Sequence, residues 1–284
     1  MARVRRVAWS GEGRADVAVE RGDGCGTVAA MQPGAMADSN DKPVSRWAMN
    51  GLVRLHYLEA RPLARGPAVL VVPGFGEEAA DHLDLIEAVA PRRAVVVDLR
   101  GRGPSTVTIG GYRIEDHAGD MQALVSAANI ERLHLVMYSR GTTYGLAWAF
   151  AHAEQLASIT IADYPAAQIV PPANFAEMTA KRVWKGRPMT DRMPQVAIEA
   201  LLADAVNIEF WDEMAGLRVP VQLIRGGAER AMVGDAILER YRLAVVDLRV
   251  VTFEESGHDL WSPDPHRFSA TVKSFLDDVD DRSS

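Results

Sequence analysis

Cysteine occurs once in the 284 residues, at Cys25. A single thiol excludes an intrachain disulfide and a cysteine metal cluster, and it fits a reducing compartment. No apolar run approaches the roughly 20 residues that cross a bilayer. The opening MARVRR leads into VAWSGEGRADV rather than into a secretory apolar segment. These absences read as a cytoplasmic protein without a membrane partner. Basic runs are also missing. Lys and Arg total 31 against 38 Asp and Glu, for a formal net charge of −7, which argues against a nucleic-acid partner because phosphate binding needs basic patches. Repeats and low-complexity tracts are absent as well. The balance that remains, 48% hydrophobic and 24% charged, is that of a folded globular chain. At this length about 75% of the unfolded surface can be buried, so one large core is feasible. Oligomeric state is not legible.

Residues 1–44 show no sustained hydrophobic period and read as a poorly ordered tail. Met36 offers an alternative start that would remove Cys25. From residue 45 the pattern changes: SRWAM and LVRLHYLEA flank Asn50-Gly51, a hairpin signal. Aliphatic runs follow at 68–72, 94–98, 133–137, 158–162, 221–225 and 248–253, most of them separated by amphipathic segments such as IEDHAGDMQALVSAAN. Short buried strands alternating with helices predict a doubly wound α/β domain, with a mainly parallel sheet of about eight strands covered on both faces. Its core takes residues 45–165 and 217–278, with a short tail at 279–284. Residues 166–216 are too long for a simple crossover and predict a small helical cap after the sixth strand. A cap there would roof a pocket at the carboxyl ends of the strands.

In MYSRG, Ser139 stands between a strand and a helix, with Gly141 two positions on. Two readings are open: a helix-capping serine, or a nucleophile on a strained turn whose following N–H, that of Arg140, faces an oxyanion. A serine needs a base. His258, after Gly257 and the last predicted strand, lies on a loop at the same sheet edge, whereas His56, His117, His134, His152 and His266 fall in strand or helix patterns and His82 in the first turn of a helix. For the orienting carboxylate, Glu229 follows VQLIRGG and gives the order Ser, acid, His; Asp163 in IADYP is the competitor at the end of the preceding strand.

Taken together, NGLVRLHYLE, VVPGFGE, VVVDLRGRGPS and the Ser, acid, His order resemble the α/β-hydrolase fold over roughly residues 45–278. The resemblance implies that the N–H of Phe75 is the second oxyanion donor beside that of Arg140, and that Asp98, Arg100, Gly101, Gly103 and Ser105 shape the site without acting in it. Three positions depart from the family pattern: Pro73 replaces a histidine, Met137 replaces the first glycine of the elbow, and glutamate stands for the commoner aspartate. Arg140 is unusual beside a nucleophile. It reads either as an ion-pair partner of Glu77 or another local acid, or as a contact for an anionic group of the substrate. Trp184, Phe210, Trp211 and Trp261 are candidates for an apolar pocket wall or for ordinary core. The expected activity is serine hydrolysis of a carboxylic ester or lactone of a small, partly apolar molecule, with no metal or organic cofactor. A lyase or oxygenase, a thioesterase and a receptor with little turnover are the alternatives on the same fold.

Overall fold

The computed structural model describes residues 42–283. The tail up to 41, with Cys25, Met31 and Met36, lies outside the described residues.

Strands β1 (Val44–Asn50) and β2 (Val53–Ala60) pair antiparallel, with Asn50 opposite Val53. The two loop positions are therefore Gly51 and Leu52, and only Gly51 has a positive φ, 57°. That is the type II′ pattern, in which glycine at the first loop position matches the strand twist. Asn50 sits one place earlier than the sequence signal suggested. Its amide donates to Asp120 Oδ1 at 2.9 Å.

The aliphatic runs become β3 (Ala68–Val72), β4 (Ala94–Val97), β5 (Leu133–Tyr138), β6 (Leu156–Ala162), β11 (Val221–Gly226) and β12 (Leu248–Phe253). They join the hairpin in one eight-stranded sheet of order β1-β2-β4-β3-β5-β6-β11-β12, parallel from β4 to β12. The two-residue period of a strand sends alternate side chains to opposite faces. Leu135 and Met137 enter one core with α2 (Ile114–Ala127), α3 (Gly141–Ala151) and α8 (Asp235–Ala244); Val136 and Tyr138 enter the other with α1 (Leu83–Ala88) and α9 (Arg267–Ser283). Each fully buried aliphatic side chain contributes about 1.5–3 kcal/mol. Burial on both faces is why these runs read as continuously apolar rather than alternating. The last helix runs through residue 283 with Val279 in the core, beyond the end expected at 278, because its apolar stripe continues under charged neighbours.

Between β6 and β11 the chain forms α4 (Phe175–Ala180), α5 (Met189–Arg192), α6 (Gln195–Asp204) and α7 (Trp211–Gly216). Two short ladders, β7 (Ala167–Gln168) with β10 (Ile208–Glu209) and β8 (Val183–Trp184) with β9 (Arg187–Pro188), complete the segment. Its middle has a small core of its own, Met193, Ala197, Ile198 and Leu201 around Tyr112. Phe210 and Met214, near its end, belong to the main core instead.

Asp98 and Arg100 are fixed in the framework. Asp98 Oδ2 meets His56 Nδ1 at 2.6 Å while Oδ1 accepts the N–H of Ala79 at 2.7 Å. Arg100 grips both oxygens of Asp120, at 2.6 and 2.7 Å.

Candidate active site

Strand β5 ends at Tyr138 and α3 begins at Gly141, so the chain reverses within two residues. Ser139 takes the turn at φ 52°. A non-glycine residue in that region costs on the order of 1 kcal/mol or more and persists only where neighbours hold it. The holders are the Ser139 N–H donating to the Ala162 carbonyl at 3.1 Å and the Thr142 N–H donating to the Ser139 carbonyl at 2.9 Å. Gly141 must be small, since a Cβ there would overlap the carbonyl oxygens of Val72 and Pro73. Met137, where the motif normally has glycine, is fully buried, and its thioether lies over Gly145 of α3, where a Cβ would overlap Sδ. The space that the elbow requires between strand and helix is thus left by the helix, one turn later, instead of by the strand.

His258 follows β12 and points back to the centre of the sheet. Its Nε2 lies 2.8 Å from Ser139 Oγ and its Nδ1 2.8 Å from Asp163 Oδ2. Tyr138 steadies it twice: its hydroxyl donates to the His258 carbonyl at 2.8 Å, and its ring stacks on the imidazole at 5.2 Å and 20°. Asp163 comes directly after β6, at φ 45°, and is fully buried. Its carboxylate accepts the N–H of Met232 at 2.8 Å, of Val233 at 3.2 Å and of Gly226 at 3.3 Å. The expected acid, Glu229, is exposed in the same loop. The structure corrects that expectation: β6 lies between β5 and β11 in the sheet, so its end is nearer the serine, and the loop after β11 supplies hydrogen-bond donors to the acid instead of supplying the acid.

The turn Pro73–Glu77 faces the serine from the end of β3. With no histidine at position 73, Glu77 fixes the turn, its Oε2 accepting the Gly74 N–H at 2.9 Å. Arg102 holds the other side, donating from Nε to the Phe75 carbonyl at 3.0 Å. Glu77 is buried; His82 Nε2 stands 3.3 Å from Oε2 and Lys185 Nζ 3.8 Å from Oε1. Burial alone would raise its carboxyl pKa, but His82, Lys185 and the Gly74 N–H outweigh it and hold the group below the usual carboxylate value. From above, Met189 of α5 sits on Gly76, where a Cβ would overlap its sulfur.

A cavity of about 370 Å³ opens over Ser139, lined by Phe75, Tyr164, Ile169, Phe175, Trp184 and Met189 among others. It is near the small end of the range for small-molecule sites. Of the four aromatic candidates, only Trp184 lines it. Phe210 packs on Phe150 and Trp211 on Tyr241 in the main core, while Trp261 lies against Tyr138, His82 and Phe268 behind the imidazole. Sequence reasoning passed over Tyr138, Tyr164, Phe175 and Met189. Tyr138 carried one usable signal, its position immediately before the elbow serine. Among the described residues, no group of three or more His, Cys, Asp or Glu side chains is arranged to hold a metal ion, and no helix is long and apolar enough to cross a membrane.

A family model described as alpha/beta hydrolase fold matches residues 67–197, the stretch that contains the turn Pro73–Glu77, Ser139 and Asp163. The chain has the α/β-hydrolase fold. Among curated members, a putative carbamate hydrolase RutD of Azorhizobium caulinodans is 24% identical over 251 residues, covering 76% of this chain and 93% of that protein. Among solved structures of the fold, the enol-lactonase from Burkholderia xenovorans LB400 superposes with a TM-score of 0.70 at 20% identity over 82% of this chain and 100% of that one. A thermophilic esterase from Thermogutta terrifontis gives 0.70 at 20% identity, over 84% and 99%. Identities this low establish the α/β-hydrolase architecture and leave the substrate to be argued from the site.

Proposed function

We propose that this α/β hydrolase cleaves a carboxylic ester or lactone of a small, partly apolar molecule through an acyl-enzyme. The observation that carries the reading is the unbroken relay from Ser139 Oγ through His258 to Asp163, with both contacts at 2.8 Å, at the base of a largely apolar cavity. His258 takes the serine proton as Oγ attacks the carbonyl carbon, and Asp163 holds the imidazole in the tautomer that presents Nε2 as acceptor. The tetrahedral oxyanion is received by the backbone N–H groups of Phe75 and Arg140, the latter at the start of α3. His258 then protonates the leaving oxygen. A water activated by the same imidazole attacks the acyl-serine, and Ser139 is regenerated.

The segment from 169 to 192 serves as the lid, with Phe175, Trp184 and Met189 excluding water over the reacting carbonyl. A carbamate is the second reading, favoured by the name of the RutD relative; the same steps apply with nitrogen in the leaving group.

The test is labelling by a fluorophosphonate probe together with the pre-steady-state time course on p-nitrophenyl acetate. Wild type should label at Ser139 and release a burst of nitrophenol, and Ser139→Ala should do neither while keeping its near-UV circular dichroism. Full-rate hydrolysis by Ser139→Ala would overturn the assignment.

A further inference from the structure

Arg140 immediately follows the nucleophile and lines the same cavity. It is 6% exposed, and its hydrogen bonds go to neutral acceptors: Nε donates to the Tyr144 hydroxyl at 3.2 Å and Nη1 to the Ile169 carbonyl at 3.3 Å. A guanidinium has five N–H donors and keeps its charge at any ordinary pH. Among the described residues no carboxylate stands within 4.0 Å of it. Glu77, the acid that also lines the cavity, is engaged by Gly74, His82 and Lys185 instead. Tyr164 supplies no anion either, because burial pushes its hydroxyl well above the neutral range.

A second guanidinium compounds the imbalance. Arg102 is fully buried, with carbonyl oxygens of Phe75 and Arg100 and the ring of His117 as partners, and its Nη2 meets no acceptor. Burying a charge without a counter-ion is costly. Of the two, Arg140 lines the cavity, so a buried cation with only neutral partners faces the space where a ligand would sit.

We infer that Arg140 is the recognition group for a carboxylate on the substrate, so that the ester or lactone cleaved here is an anionic one. The inference rests on the hydrolase reading above and sharpens it to a substrate class. Arg140 and Ser139 line one cavity of about 370 Å³, so the carboxylate and the scissile carbonyl belong to one small molecule, such as a half-ester of a short dicarboxylic acid. Planar, bidentate pairing is what separates arginine from lysine at such a position.

The experiment compares kcat/KM for matched esters that differ by one charge: mono-p-nitrophenyl glutarate against p-nitrophenyl valerate, and 3-carboxyphenyl butyrate against phenyl butyrate. The first pair puts the carboxylate on the acyl side and the second on the alcohol side. Wild type should prefer the anionic member of at least one pair by about tenfold or more, the range of a charge-assisted hydrogen bond. In Arg140→Gln that ratio should fall to about one. Arg140→Lys, which keeps the charge and loses the fork, should retain only part of it and serves if the glutamine variant does not fold. Equal rates within both pairs in wild type, or a preference that survives in Arg140→Gln, overturn the inference and leave the hydrolase standing. If Ser139 is not labelled by the fluorophosphonate and neither member of any pair is turned over, the hydrolase reading fails and the inference falls with it.

Discussion

Three backbone N–H groups converge on Asp163 before the imidazole is counted. With its donors fixed by the loop, the carboxylate has no freedom to rotate, and it presents one oxygen to Nδ1 of His258. Exchanging that oxygen for an amide N–H would favour the wrong imidazole tautomer. Asp163→Asn should therefore lower kcat by about 10³–10⁴-fold, while Glu229→Gln, altering an exposed side chain, should stay within about twofold. Steady-state hydrolysis of one activated ester by both variants decides between them, and a large loss at Glu229 would reverse the assignment. Both carboxylates were visible in the sequence as loop acids following strands. What the sequence could not supply was lateral position: chain order favours the later strand, whereas the sheet puts β6 next to β5, the strand that ends just before Ser139. The aromatic residues were illegible for a related reason. Phe210 and Trp211 look the same in sequence whether they wall a cavity or fill a core, and only the packing of Phe210 on Phe150 of α3 and of Trp211 on Tyr241 of α8 places them in the core.

At the scale of elements, the contact between β5 and α3 is set by a pair of residues that exchange the usual roles. Met137 occupies the volume that Gly145 leaves open. Gly145→Ala should cost about 1–3 kcal/mol through overpacking, and Met137→Ala alone about 2–5 kcal/mol through the cavity it leaves. The double variant should be less destabilised than the two costs added, because the alanine methyl then enters space the sulfur has vacated. Urea unfolding of the four proteins measures the coupling, and strict additivity would show that the two side chains do not compete for space. The strands, the helices between them and their mainly parallel order were readable from aliphatic runs and their spacing. The long crossover after β6 was readable as helical, but its composition did not reveal that α7 returns to the main core while the middle covers the serine.

For the whole molecule, stability depends on two buried histidines remote from the relay or unused by it. His134, between Ser158 and Asp280, has its pKa lowered to about 4, chiefly by burial. Burial, reinforced by Arg102, lowers His117 well below its ordinary value. In the unfolded chain both titrate near about 6.5. Between those values the unfolded state binds protons that the native state does not, so stability is complete above about pH 6.5 and is lost as the pH falls. His134 alone accounts for up to about 3 kcal/mol by pH 4. Urea midpoints followed from pH 7.5 to 4.5 should decline, and His134→Gln should flatten the decline; an unchanged slope would assign the loss to other groups. The same long-range architecture bears on His258. Strands β5 and β6 are buried throughout, whereas β12, which leads into the His258 loop, is the half-exposed strand at one edge of the sheet. Edge strands are the first part of a sheet to fray. The bond from the Tyr138 hydroxyl to the His258 carbonyl, spanning 120 positions of the chain, moors that edge to the middle. Through it the residue immediately before Ser139 keeps His258 in register with that serine, so opening of the edge is felt as lost alignment only once that mooring gives way.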